Sequence, residues 1–470
     1  MNHPLQRREL LRSAACGFGS LALAGLCADQ TAAARPAPLP LFAPRATRIT
    51  FIFMQGGPSH VDTFDYKPAL IEHDGEKLHF RDARKLAKTG MSGEETVMQP
   101  LWPFRQYGET GRWVSDLFPH IGRHVDDLCF LHGMHTNGVA HGPATLFLPT
   151  GATSLIRPST GSWVSYGLGT ENRNLPAFVT LCPSSGNGGP RNFSNAFLPA
   201  EHQGTAISRA GQPASDARPE HIANAELTTA DQRRQLDLLQ GFNRQQQQRA
   251  GDAAGSDLDA VIESYELAWR MQMHAPELFD LSEETAETQA MYGIGDGTTD
   301  DFGRQCLLAR RMAEAGVRYV QISYADNTDN PRWDQHTNMP KHAEHAAATD
   351  KPVAGLLADL KQRGLLEDTL VWWGGEFGRN PFTQGSNGRD HNPKGFTQFL
   401  AGGGVKAGFA FGATDEFGHE AVSGKVHMHD LHATLLHLLG LDHEQLTYRH
   451  AGRDFRLTDV AGRVVHDIIA

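Results

Sequence analysis

Apolar runs along the chain alternate with amphipathic stretches in a strand, loop and helix rhythm. Ile49-Thr50-Phe51-Ile52-Phe53-Met54 is β-branched and aromatic and closes on Gln55-Gly56-Gly57-Pro58, which predicts a buried first strand delivering a loop at its carboxyl end. Asp127-Leu128-Cys129-Phe130-Leu131-His132-Gly133 predicts a second strand, followed by a helix over 142–148, and Pro176-Ala177-Phe178-Val179-Thr180-Leu181 predicts a third. A helix over 301–315, stopped by Gly316, leads into the strand Val317-Arg318-Tyr319-Val320-Gln321-Ile322. The pairing recurs with a helix over 353–363 and the strand Thr369-Leu370-Val371-Trp372-Trp373, and an apolar helix over 430–439 ends at Gly440. Such alternation predicts an α/β fold whose mostly parallel sheet is joined by crossovers. Trp372 and Trp373 fall on opposite faces of their strand and read as core rather than as a carbohydrate platform.

Between about 184 and 299 the rhythm is interrupted. Gly, Asn and Pro dominate first, then a polar stretch with Gln245-Gln246-Gln247-Gln248 and apolar positions at Leu236, Leu238 and Leu239; this predicts a helical insertion, with the glutamine run as a solvated face. The organisation read from the chain is a targeting segment over 1–34, a Pro-rich linker over 35–46, and one large domain over 47–470 that carries the insertion.

Composition narrows the function class. With 40% hydrophobic and 21% charged residues the 470-residue chain can bury a sizeable core. Its net charge of -11 supplies no electrostatic footprint for a phosphate backbone, so nucleic acid is excluded as a partner, while a local basic pocket for a small anion is compatible with it. Arg7-Arg8 precede Glu9-Leu10-Leu11-Arg12, then an uncharged run from Ser13 to Ala28 and Ala32-Ala33-Ala34. This resembles a twin-arginine export signal, since the run falls short of the roughly 20 residues a spanning helix needs. Export to the periplasm or beyond is the expectation, with no integral membrane segment after cleavage. Cys129, Cys182 and Cys306 then remain, odd in number and without a CxxC pair, which speaks against both a disulfide scaffold and a thiolate zinc site.

In a doubly wound sheet, chemistry gathers beyond the carboxyl ends of the strands. Polar clusters lie there in this chain: Gln55, Ser59, His60 and Asp62 after the first strand; His132, His135 and His141 after the second; Asp326, Asp334 and His336 after the Tyr319 strand; and Glu376, Arg379, Asp390 and His391 after Trp373. Carboxylates with neutral imidazoles suit a borderline divalent cation, Zn or Mn better than Ca or Mg where His dominates. Each pair also has a plain structural reading: Asp334-Gln335-His336 as an Asx-capped turn, Glu376 as a partner for Arg379, Asp390 as the carboxylate orienting His391.

The segments Gly56-Gly57-Pro58-Ser59-His60-Val61-Asp62-Thr63-Phe64-Asp65-Tyr66-Lys67-Pro68, Trp333-Asp334-Gln335-His336, Gly374-Gly375-Glu376-Phe377-Gly378-Arg379, Gly388-Arg389-Asp390-His391 and Ala401-Gly402-Gly403-Gly404-Val405 together resemble the exported, sulfatase-like family called domain of unknown function 1501, placed within the alkaline phosphatase superfamily. The resemblance runs from about 47 to 465 and implies an α/β/α sandwich around a mostly parallel sheet. His141-Gly142-Pro143 to Thr150-Gly151 is similar to the sulfatase segment that opens with the nucleophile, but His141 stands where that segment has a Cys or Ser. Gln55 stands for the Asp that ends the superfamily's first strand, and Glu376-Phe377 for an Asp-His pair. The resemblance implies a divalent metal ion (Zn, Mn or Ca) held by Asp334, His336 and His391, with Glu376 as a further ligand or base. His141 is then nucleophile, general acid or ligand, and Arg379 or Arg389 neutralises an anion. The expected activity is metal-dependent hydrolysis of phosphate or sulfate esters, on a small anionic ester or a sulfated polysaccharide. The alternative is a non-catalytic descendant of the fold that binds an anion, a polysaccharide or a protein.

Overall fold

The strand Arg48–Met54 is buried at every position, and alternation divides its side chains between two cores: Ile49, Phe51 and Phe53 enter one, Ile52 and Met54 the other. A strand buried on both faces belongs at the centre of a sheet covered on both sides. A computed structural model, describing residues 41–219, 227–250 and 252–470, shows that arrangement. The stretch 1–34 expected to be an export signal, and the expected linker as far as residue 40, lie outside the described residues.

The central sheet has nine strands. In chain order they are β1 (Arg48–Met54), β2 (Leu128–His135), β3 (Phe178–Leu181), β4 (Thr205–Ile207), β5 (Tyr319–Tyr324), β6 (Thr369–Gly374), β7 (Phe396–Ala401), β8 (Phe409–Phe411) and β9 (Val426–His427). Their order across the sheet is β8-β2-β7-β6-β1-β5-β3-β4, with β9 also paired to β2. Only β7 runs against the others.

The helices that matter here are α1 (His141–Thr150), α2 (Thr160–Leu168), α3 (Thr229–Ala250), α4 (Asp252–Phe279), α5 (Asp300–Glu314), α6 (His342–Gln362) and α7 (Met428–Leu438). Leu307, Leu308, Val353, Leu356 and Leu357 of α5 and α6 close one face over Ile52, Val320, Ile322 and Trp373. Phe147, Trp163, Leu431 and Leu435 of α1, α2 and α7 close the other over Phe51, Leu370 and Trp372. This is the α/β/α sandwich with a mixed, mostly parallel sheet. Trp372 and Trp373 are both buried, stacked on Phe51 at 3.8 Å and on Phe399 at 5.0 Å.

Two expectations need correction. The strand β7 was absent from the predicted set although Phe396-Thr397-Gln398-Phe399-Leu400-Ala401 has strand composition; it inserts antiparallel between β2 and β6, outside the strand-helix alternation. The helix expected over 353–363 starts at His342, because the alanine-rich turns before Pro352 carry high helix propensity with few apolar positions to reveal it.

The described residues fall into two compact units, one within 227–266 and the other built from 41–219 and 267–470. In the first, Arg233 of α3 pairs with Asp237 at 2.6 Å and Glu266 of α4 at 2.9 Å, and Gln240 donates to the Ile262 carbonyl at 2.9 Å. The second holds the whole sheet. Among the described residues no helix is long and apolar enough to cross a membrane.

Candidate metal centre

The parallel strands deliver their loops to one edge of the sheet. β1 ends in Gln55-Gly56-Gly57, β2 leads to α1, β5 leads to the loop holding Asp334 and His336, and β6 ends in Gly375-Glu376 before a two-stranded ribbon in which Gly378–Arg379 pairs with His391–Asn392. Gly56 is required where these loops meet: its φ is +110° and a Cβ there would lie 2.7 Å from the backbone nitrogens of Trp333 and Asp334.

His141, Asp334, His336 and His391 converge there, with one donor atom from each within 4.8 Å of the rest. Asp334 Oδ1 is the focus, 3.1 Å from His141 Nε2, 2.9 Å from His336 Nε2 and 3.2 Å from His391 Nε2. The other nitrogen of each ring is already engaged. His141 Nδ1 donates to Glu376 Oε1 at 2.6 Å, His391 Nδ1 donates to the Val139 carbonyl at 3.0 Å, and His336 Nδ1 donates to Gln384 Oε1. With protons on the three Nδ1 atoms, all three Nε2 lone pairs point at one carboxylate oxygen, an arrangement that calls for a cation between them. His141 Nε2 is buried, and Asp334 Oδ1 at 3.1 Å is the one polar atom placed against it. Three imidazoles and a carboxylate, with tautomers fixed from behind, fit a borderline divalent metal.

Burial works to raise the Asp334 carboxyl, but the Arg379 guanidinium at 2.8 Å, helped by the three imidazoles, holds it well below the usual carboxylate range. Asp334 is therefore a permanent anion. Burial depresses His391 to about 3, so its ring stays neutral and competent as a ligand. Burial also pulls His141 down, and the hydrogen-bonding and charge of Asp334 and Glu376 outweigh it and raise that ring.

Glu376, expected as a ligand or base, stands behind His141 instead. It is fully buried, and Gly56 N–H donates to its two oxygens at 3.0 and 3.1 Å while His141 takes Oε1. This is where an outer carboxylate would stand to orient His141 if that ring held an ion. Arg379 and Arg389, expected to face an anion, are fully buried struts. Arg379 donates to the carbonyls of Gly56, Gly57 and Arg389 besides Asp334. Arg389 donates to Asp62 at 2.8 Å and to the carbonyls of Asn380, Met98 and Gln99.

The remaining candidates support loops. Ser59 donates to Asp62 at 2.5 Å, His60 Nε2 donates to the Gly418 carbonyl at 2.7 Å, and Gln55 Oε1 accepts from Asp326 N at 3.1 Å. Asp390 accepts from the His391 backbone at 2.8 Å and from Arg84, and lies 3.5 Å from His336 Nδ1, so it braces the loop and makes no bond to the His391 ring. His132 bonds Thr397, His135 packs on His427, and Asp326 accepts from Thr328, all apart from the cluster. Sequence reasoning missed Gln384 and Val139, which fix two tautomers, Phe377, which stacks on His391 at 4.4 Å, and Arg84, whose Nη1 is 2.5 Å from Asp390 Oδ1 and 3.4 Å from His336 Nε2. A main-chain carbonyl such as that of Val139 leaves no sequence signal; Arg84 sits some 250 residues from its contacts.

No curated protein matches the chain. Solved structures similar to it include the PsFucS1 sulfatase from Pseudoalteromonas sp., 12% identical over 84% of this chain and 68% of that one with a TM-score of 0.36. The lipoteichoic acid synthase LtaP from Listeria monocytogenes is 8% identical over 92% and 80%, with a TM-score of 0.37. Alkaline phosphatase from the Antarctic bacterium TAB5 is 10% identical over 78% and 94%, with a TM-score of 0.30. The family described as protein of unknown function (DUF1501) matches residues 46–469, and the chain belongs to that family.

Proposed function

We propose that this protein is a metal-dependent hydrolase of phosphate or sulfate esters that works without a Cys or Ser nucleophile. The observation that carries the reading is the convergence of three lone-pair nitrogens on Asp334 Oδ1 with every opposite nitrogen occupied. Asp334, His336, His391 and His141 would hold the ion, and a divalent ion there would polarise an ester oxygen or lower the pKa of bound water. The chain's own residues prepare that site: Arg379 keeps Asp334 ionised, Glu376 holds the proton on His141 Nδ1, and Phe377 stacks over His391 and keeps bulk water from that side. His141 is a ligand in this reading and not a nucleophile, since both of its nitrogens are committed. Export of the folded protein by the twin-arginine route and action on a small anionic ester or a sulfated polysaccharide belong to the same proposal.

One observation favours a second reading, a non-catalytic anion-, polysaccharide- or protein-binding protein. Four protein donors are enough to complete a tetrahedral shell, the hallmark of structural sites. Elemental analysis of exported wild type, Asp334→Ala and His391→Ala, followed by aryl phosphate and aryl sulfate assays, separates the readings. Near-stoichiometric metal lost in both variants, with turnover of either ester, is the expected result. Metal without turnover supports the binding reading; wild type that takes up no metal on reconstitution overturns the metal site.

A further inference from the structure

The cluster is not equally closed on all sides. The His336 side chain is 22% exposed, against 9% for His141, 3% for Asp334 and 2% for His391. A molecule in solution therefore reaches the cluster across His336. On that side lies a pocket of about 260 Å³ lined by Asp82, Arg84, Lys85, Lys88, Gln384 and Asp390 together with Thr89, Glu95, Phe382 and Thr383. Gln384 and Asp390 of this pocket lie against His336 Nδ1, so the His336 ring stands between the pocket and the cluster.

The charges of this wall are unevenly committed. Asp82 accepts from the backbone N–H groups of Arg84 and Lys85 at 2.8 and 3.0 Å, Glu95 takes Lys85 Nζ at 2.7 Å, and Asp390 accepts from Arg84, Gln384 and the His391 backbone. Each carboxylate is thereby answered. Lys88 has no ion partner among the described residues, and Arg84 uses only Nη1, which bonds Asp390 and passes 3.4 Å from His336 Nε2. Its Nε and Nη2 remain for a ligand. Arg379 and Arg389, by contrast, are buried and turned inward on carbonyls and carboxylates. A guanidinium with spare donors beside the exposed metal ligand is what a tetrahedral oxyanion requires, because its planar fork bonds two oxygens at once.

We propose that Arg84, with Lys88 at the rim, forms the anion subsite of this protein, and that the subsite takes a phosphate or sulfate group presented to the metal cluster from the His336 side. The inference rests on the proposed metal site and assigns its substrate-gripping residue. The ester's charged end lies in this pocket, bonded by Nε and Nη2, while its organic part projects to solvent.

The test uses the metal-loaded full-length protein with inorganic phosphate and inorganic sulfate as separate probes. Binding is measured by calorimetry for wild type, Arg84→Ala, Arg84→Lys and Lys88→Ala, and metal content is measured on every sample. Phosphate or sulfate affinity is expected to fall at least about ten-fold in Arg84→Ala, to recover partly in Arg84→Lys, and to fall about two- to three-fold in Lys88→Ala, with metal content unchanged in all. The probe that binds more tightly to wild type names the ester class. Wild-type affinity retained in Arg84→Ala, or wild type binding neither anion, overturns the subsite. Metal content reads the metal site by itself: protein without metal whose anion binding still depends on Arg84 would refute the metal reading and keep the subsite.

Discussion

His141 shows how one side chain is committed from both ends. Its Nδ1 is 2.6 Å from a fully buried Glu376 and its Nε2 faces Asp334, so the carboxylate behind the ring decides which nitrogen is offered forward. Glu376→Gln keeps an acceptor for His141 but turns an amide NH2 toward the Gly56 N–H that now donates to both carboxylate oxygens. Loss of such an outer partner weakens metal binding by about 10- to 100-fold, and chelator competition on purified protein should show that drop with the ligands themselves intact. An unchanged affinity would show that Glu376 does not tune the ring. A second residue-scale expectation concerns Gly388, whose Cβ would lie 1.8 Å from the His336 carbonyl oxygen. Gly388→Ala must push the His336 loop away, and metal content should fall as it does in Asp334→Ala while β-sheet circular dichroism is preserved. That Asp334, His336 and His391 meet was legible in the sequence, since they stand in polar loops after predicted strands. The placing of Glu376 behind His141 was not, because it depends on which ring nitrogen faces Asp334, and Arg84, Gln384 and Val139 reach the rings only through long-range packing.

At the scale of elements, the loops at the sheet edge are held by buried ion pairs beside the short ribbon of Gly378–Arg379 with His391–Asn392. Arg389 and Asp62 are both fully buried, 2.8 Å apart, and join the short turn His60–Asp62 after β1 to the loop that carries Asp390 and His391. Breaking such a pair from one side leaves a charge buried alone and costs about 3–5 kcal/mol. Arg389→Met should lower the free energy of unfolding in urea by that order, and Asp62→Asn combined with Arg389→Met should recover part of it; a double variant no better than the single one would mean that Arg389 acts through its bonds to the Met98 and Gln99 carbonyls instead. The strands β1 and β6 were legible because a strand buried on both faces is a nearly continuous apolar run, and β5 because its β-branched and aromatic residues follow a helix stopped by Gly316. The strand β7 was missed because its antiparallel insertion follows no helix, and the alternation of strand and helix was the guide.

Taken whole, the molecule buries several imidazoles away from the cluster around Asp334, and this sets its response to acid. Burial depresses His432 to about 3, and burial joined by neighbouring histidines depresses His427 to about 4. His345, depressed by burial and by Arg332, and His202, depressed by burial alone, also lie at about 4. An unfolded chain protonates these rings near 6.5, so below that pH the unfolded state binds more protons than the folded one. Their stabilising contribution is complete above about pH 6.5 and is lost as the pH falls toward 4 and 3. His432 is the cleanest probe, fully buried with Nε2 donating to the Leu148 carbonyl at 2.7 Å. The difference in its two pKa values corresponds to about 3 kcal/mol between pH 7 and pH 4. His432→Gln can keep a donor for that carbonyl while removing the titration. Unfolding free energies in urea should therefore fall from pH 7 to pH 4.5 in wild type and fall less steeply in His432→Gln, even though the variant starts lower at pH 7 from imperfect packing. Equal slopes would place the acid sensitivity in other groups and show that the His432 ring gains access to water before the fold opens.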